Sequence, residues 1–300
     1  MRVTGRSPSG EQFQIAFGDQ RAVVTEVGGG LRTYDVGDRL IVDGYEVGEM
    51  CSSGRGQVLA PWPNRIADAS YEFGGVRHEL PVDERTSQSA IHGLVRWVPW
   101  RVVEARPQRV TIGHELHPQP GYPFAVSLRI EYELSADGLR VSTTAINVGP
   151  ESCPFGVGFH PYLRPGTPTV DTATLQLPAR SVLDVDERSP VDGTELDYLE
   201  PRAVGRTVLD TCFAGLDRGV DGLARVVLAN PATGVSTTLW VDEAYGYLMV
   251  YTGDTRPDVS RRSLAVEPMT CPPQAFRTGE SVIVLAPGDS MTATWGLTPS

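Results

Sequence analysis

The chain has 300 residues, 40% of them hydrophobic, enough for a sizeable core, and β-rich folds often use this much chain for one domain, here 1–300. A net charge of −11 and the lack of a basic stripe with interleaved aromatics argue against nucleic acid as a partner. All 26 basic residues are arginine, and the absence of lysine removes Schiff-base catalysis, pyridoxal-phosphate attachment and the phosphate-binding P-loop.

Thirty-two glycines and 24 prolines predict many tight turns and few long helices. The opening MRVTGRSPSGEQFQ lacks the apolar block of a signal peptide, and no run of about eighteen apolar residues follows, so a cytoplasmic protein without membrane attachment is expected. Cys51, Cys153, Cys212 and Cys271 are far apart and form no CxxC pair. They are expected to be reduced and to pack as small hydrophobes.

In chain order, the glycine run 28–30 fits no dinucleotide or phosphate loop and is expected to be a bend or bulge. Trp62 stands beside Asn64 and Arg65 and is suited either to stacking on a ligand ring or to core packing. His78 is expected on a surface strand, and His92 stands in AIHGL. His114 and His117 lie in HELHPQPGYP, too rich in proline for a helix that would align two metal ligands, and are expected in a loop. From 125, AVSLRIEYEL alternates apolar and polar residues, which predicts a strand with one wet face. The turn SADG then leads into LRVSTTAINV, completing a hairpin.

His160 follows in GFHPYL and Asp210 in TVLDTCFAGL. Two further hairpins are expected, 235–241 with 247–253 and 281–286 with 290–297. Between them, Glu267 ends the apolar run LAVEP, where a strand-end carboxylate can project into a cleft. No stretch of twelve residues carries helical spacing, so the fold class is all-β: an antiparallel sandwich with at most short helices.

Taken singly, His92 reads as a turn histidine, Glu267 as a strand-end salt bridge with Arg65 as partner, and Asp210 as a turn cap. Together, NRI, HG, HPY, D-x-x-F and E-P, with YTGD at 251–254, resemble the aldose 1-epimerase (galactose mutarotase) family in order and spacing. The resemblance spans about residues 57 to 280. It implies a large β-sandwich, the galactose mutarotase-like supersandwich, with the sugar in an open cleft. It further implies that His160 is the general acid and Glu267 the general base. His92, Arg65 and Asp210 would hold the sugar hydroxyls, with Asn64 supporting Arg65.

Such chemistry opens and recloses a cyclic hemiacetal, needs one base and one acid, and calls for no cofactor and no metal. A glutamate is an anion near neutrality, while a histidine holds or releases a proton there. The expected partner is a small aldose, the protein being a monomer or homodimer. Two alternatives remain open: a hexose-phosphate 1-epimerase, with Arg96 and Arg164 in a phosphate-binding cluster, and a non-catalytic carbohydrate-binding sandwich.

Overall fold

The computed structural model describes residues 7–183 and 197–300. Two antiparallel sheets dominate. The larger runs in the spatial order Arg101–Arg106, Arg109–Leu116, Val126–Ser135, Gly138–Asn147, Ser290–Pro299, Ser236–Val241, Ala224–Ala229, Thr174–Gln176, Arg202–Ala203. The smaller runs Ala179–Leu183, Asp210–Leu216, Tyr247–Tyr251, Leu264–Met269, Gly158–Phe159, Val58–Leu59, and Tyr162–Leu163 joins it alongside Leu264–Met269. Among the described residues, helix is confined to Ala275–Thr278 and a 3-10 turn at Val170–Thr172.

Alternation explains the larger sheet. Val126, Leu128, Ile130, Tyr132 and Leu134 point inward and are buried, while the residues between them face outward, and Ser135 pairs with Gly138 at the expected hairpin. The sheets meet through side chains of this kind: the rings of Phe159 and Trp295, one from each sheet, lie 5.2 Å apart and both are buried. Burying an apolar side chain of this size contributes about 1.5–3 kcal/mol. The glycine run 28–30 forms the expected bend between Gln20–Thr25 and Leu31–Val36, whose ladder shifts register at Val23/Val24. All four cysteines are free and buried.

Two expected hairpins do not form. Ser236–Val241 belongs to the larger sheet, whereas Tyr247–Tyr251 belongs to the smaller one. The burial patterns give the reason: the first strand alternates, with one wet face, while Leu248, Met249 and Val250 are buried in succession. The link between them crosses the core with a fully buried Tyr245, held by Arg218 donating to the Asp242 and Tyr245 carbonyls. Likewise, Ile283–Leu285 pairs with Cys153–Phe155, not with Ser290–Pro299. Asn147 diverts it, its side-chain amide donating to the Leu285 carbonyl at 2.8 Å.

His114 is also not in a loop. It lies in Arg109–Leu116, where its Nδ1 donates to the Pro99 carbonyl and its ring rests on Trp100; the prolines act only beyond the strand end. His117 lies past that end and is exposed. His78 is on the strand Val76–Glu79 as expected, stacked on Tyr71.

Candidate active site

The smaller sheet has a gap. Along Leu264–Met269 one neighbour is split: Gly158 pairs with Met269 and Tyr162 pairs with Ala265, but His160 and Pro161 lie between the two short strands and belong to neither. Here the ladder thins to one bond, from the Val266 amide to the Pro161 carbonyl, and Pro268 can stand inside a central strand because the edge it faces needs no N–H. Glu267 is therefore mid-strand, in register with Met249, and not at a strand end as expected. Strand periodicity places Asp210, Met249, Tyr251, Glu267, His160 and Tyr162 on one face, and all six line a single cleft of about 400 Å³.

At its floor, His160 Nε2 and Glu267 Oε1 are 3.2 Å apart, with side chains only 6% and 4% exposed. Tyr162 stacks on the His160 imidazole at 5.0 Å and 15°, and donates its hydroxyl to the Ser53 carbonyl. On the other side lies the backbone of Gly54, where a Cβ would come within 2.7 Å of the imidazole Cδ2, at a φ of +73°. The Gly56 and His160 amides tie this loop to the His160 backbone, and Asp258 accepts from Ser52 and Ser53 and pairs with Arg55.

The opposite wall comes from Arg65–Ala67 paired with Ser89–Ile91. Just outside this ladder, Asn64 (φ +53°) and His92 (φ +62°) are both left-handed and bound to each other: the His92 amide donates to the Asn64 carbonyl, and the Asn64 amide donates to His92 Nδ1 at 3.2 Å. Asn64 also caps the Arg65 backbone amide through its side-chain oxygen at 2.8 Å. The His92 and His160 rings meet edge to face at 5.4 Å.

Arg65 does not pair with Glu267. It makes a two-pronged bond with Glu84, at 2.5 and 2.9 Å, and Ser87 donates to the same carboxylate. Arg96 lines the cleft and pairs with Asp83 at 3.0 Å. Arg164 is absent from it: it follows the end of Tyr162–Leu163 and lines a separate cavity, paired with Asp43. Trp62 is buried against Phe276, so core packing is its role, while Trp97 stands half-exposed at the cleft.

Burial sets the electrostatics. It pushes the Glu267 carboxyl well above the ordinary glutamate range, with Asp210 adding to the effect and Arg65 opposing it. It pulls the His160 imidazole down to about 3, with Arg96 and Arg256 contributing, and holds His92 well below its ordinary value. Glu84 goes the other way: burial opposes its charge, but Arg65 and Ser87 more than offset this.

One carboxyl and two imidazoles offer ligand atoms within 4.8 Å of one another, a spacing a metal ion can use. The hydrogen bond behind His92 is wrong for one. A metal-bound histidine donates its remaining N–H to an acceptor, whereas here an amide N–H points at His92 Nδ1. The neutral ring therefore carries its proton on Nε2, which makes His92 a fixed donor toward the cleft.

Comparison with known proteins accords with this architecture. Residues 11–298 match the family model for aldose 1-epimerase. The chain belongs to the aldose 1-epimerase family. It is 35% identical to the uncharacterized protein YihR of Escherichia coli (strain K12), covering 96% of this chain and 93% of that one. It is 25% identical to the galactose mutarotase of Homo sapiens, covering 72% and 69% respectively. In structure it is similar to the GalM/aldose epimerase homologue from C. elegans, with a TM-score of 0.84 at 16% identity and coverage of 97% and 98%.

Several cleft residues of this epimerase-family chain escape sequence reasoning. Tyr162 was legible in principle, since it stands two after His160 and so shares its face of the sheet. Gly54, Asp83, Glu84, Thr255 and Arg256 come from loops in which no periodicity operates.

Proposed function

We propose that this epimerase-family protein interconverts the α and β anomers of a free hexose such as glucose or galactose. One observation carries the reading: a buried imidazole and a buried carboxyl 3.2 Å apart at the floor of a cleft. The hydroxyl oxygen and the ring oxygen of a pyranose share one carbon, so the base and acid that serve them must be close neighbours.

In this reading the reactive form of the pair is Glu267 carboxylate with His160 imidazolium. Glu267 takes the proton of the C1 hydroxyl, the C1–O5 bond breaks as the C1–O1 bond becomes a carbonyl, and His160 delivers its proton to O5. The pair is then a carboxylic acid beside a neutral imidazole. Burial favours that uncharged arrangement, so the shifts in both groups stabilise the pair while the open-chain aldehyde is bound. Rotation about C1–C2 exposes the other carbonyl face, and the same transfers in reverse restore the starting state. No net proton enters or leaves.

The His92 Nε2–H adds a neutral donor in the cleft, and Arg65, fixed by Glu84, and Asp210 supply a cation and an anion for neighbouring hydroxyls. A phosphate-bearing substrate has less support, since Arg164 lies elsewhere and Arg96 is already paired. We place the activity in the cytoplasm, in a single unit of residues 1–300. Among the described residues no helix is long and apolar enough to cross a membrane.

Polarimetry of freshly dissolved α-glucose and α-galactose, with and without protein, tests the reading. Acceleration over the spontaneous rate is expected, and an unchanged rate across an aldose panel that includes glucose 6-phosphate would leave only a sugar-binding role.

A further inference from the structure

Outside the cleft, one carboxylate holds the loop that covers the His160 ring. Asp258 accepts the Ser52 hydroxyl at 2.6 Å and the Ser53 hydroxyl at 3.0 Å, and stands 3.5 Å from the Arg55 guanidinium. Burial opposes its charge, but the two hydroxyls and Arg55 more than offset this and keep it an anion that only accepts. It lines the separate cavity that Arg164 also lines, not the cleft of His160 and Glu267.

Ser53 is where the two covers of the ring meet. Its carbonyl receives the hydroxyl of Tyr162, which stacks on the imidazole, and its chain neighbour Gly54 lies against the Cδ2 edge. Ser53 is itself left-handed, at φ +55°, a backbone state that is costly for a residue with a side chain and persists only where its surroundings hold it. Asp258 supplies that hold. It is fixed in turn by the fully buried Val259 beside it, which shares an apolar cluster with Tyr162 and Ala265. Arg261 secures the same loop by pairing with Asp171 and Asp254.

We propose that Asp258 is a positioning residue for His160: by gripping Ser52 and Ser53 it keeps the loop closed on the imidazole, fixes the ring's aim at Glu267 and keeps water off it. The inference rests on the proposed anomer exchange only for its effect on rate, since the placement of the ring can be read without turnover.

Nitrogen-15 NMR of the His160 ring and polarimetry test this on the full chain, in Asp258→Ala, Asp258→Asn and a double Ser52→Ala, Ser53→Ala variant. In wild type, burial holds the imidazole down to about 3. An opened loop admits water, so in Asp258→Ala the ring is expected to titrate above about pH 4.5, toward the ordinary histidine value of about 6.5. The sign discriminates. Glu267, His92, Arg96 and Arg256, the ionisable groups around the ring, are retained in every variant, and loss of the Asp258 anion by itself lowers a histidine pKa. The kcat should fall about tenfold with KM within about twofold, because Asp258 does not reach the cleft. The serine double variant should reproduce both effects and add little to Asp258→Ala, and Asp258→Asn, which keeps an acceptor oxygen, should fall between. An unchanged His160 titration in folded Asp258→Ala, or a serine effect that simply adds to it, would overturn the proposal. Should Asp258→Ala not fold, Asp258→Asn and the serine double variant decide by the same titration. If no aldose were turned over, the anomer-exchange reading would fall, and the NMR titration would still decide the role of Asp258.

Discussion

His160 and Glu267 are register partners at a break in the ladder. The pairs Gly158 with Met269 and Tyr162 with Ala265 bracket them symmetrically, so the interrupted register sets each opposite the other, and the interruption frees both side chains to meet in the cleft. From this relation follow the first two predictions.

In the proposed reaction, removing either member abolishes the transfer assigned to it. Glu267→Gln or His160→Asn should lower the polarimetric rate by about a hundred- to ten-thousand-fold with the fold intact by circular dichroism. The double variant should be scarcely worse than either single one, because a relay broken once is broken.

A second consequence concerns stability. The folded carboxyl of Glu267 titrates above its unfolded value, so its favourable contribution is present below the ordinary glutamate pKa and is lost as pH rises through the raised one. Glu267→Gln should therefore melt higher than wild type at pH 8, with the difference shrinking or reversing at pH 4. His160 behaves oppositely. Its depressed value means stability falls as pH drops below about 6.5. Calorimetric melting curves across pH check both.

The Asn64 amide makes His92 a permanent donor. Nitrogen-15 NMR should show His92 as the Nε2–H tautomer with no protonation between pH 5 and 8, since burial holds its value low. Any acid limb in the rate profile then belongs to another group, and His92→Phe should lower kcat/KM without moving that limb.

Gly54 meets the His160 ring so closely that Gly54→Ala must push the imidazole aside. We expect at least tenfold loss in kcat, with a fall of only a few degrees in Tm, because the loop is otherwise held by its own hydrogen bonds and by Asp258. Wild-type kcat in this variant would show that ring placement tolerates the shift.

Much of this was readable from the chain. Alternation in 126–134 foretold a strand and its buried face, since period-two patterning is local. His160, Glu267, Asn64, Arg65, His92 and Asp210 all line the cleft, because short motifs in a fixed order carry a fold's geometry with them. What stayed hidden depends on tertiary partners. Whether Ser236–Val241 turns back on its successor or crosses to the other sheet is decided by Tyr245 and Arg218, far from any strand pattern. Glu84 as the holder of Arg65 was invisible for the same reason: nineteen residues separate them and only the fold brings them together.

The three cations along the cleft, Arg65, Arg96 and Arg256, are all guanidinium groups. A guanidinium supplies charge and directed N–H bonds, yet at physiological pH it has no lone pair with which to attack an aldehyde. In the proposed reaction, whose passing intermediate is a free aldehyde, the cleft would thus hold its ligand with groups that the ligand does not glycate. On that reading the choice of arginine protects the cleft from inactivation by its own substrate.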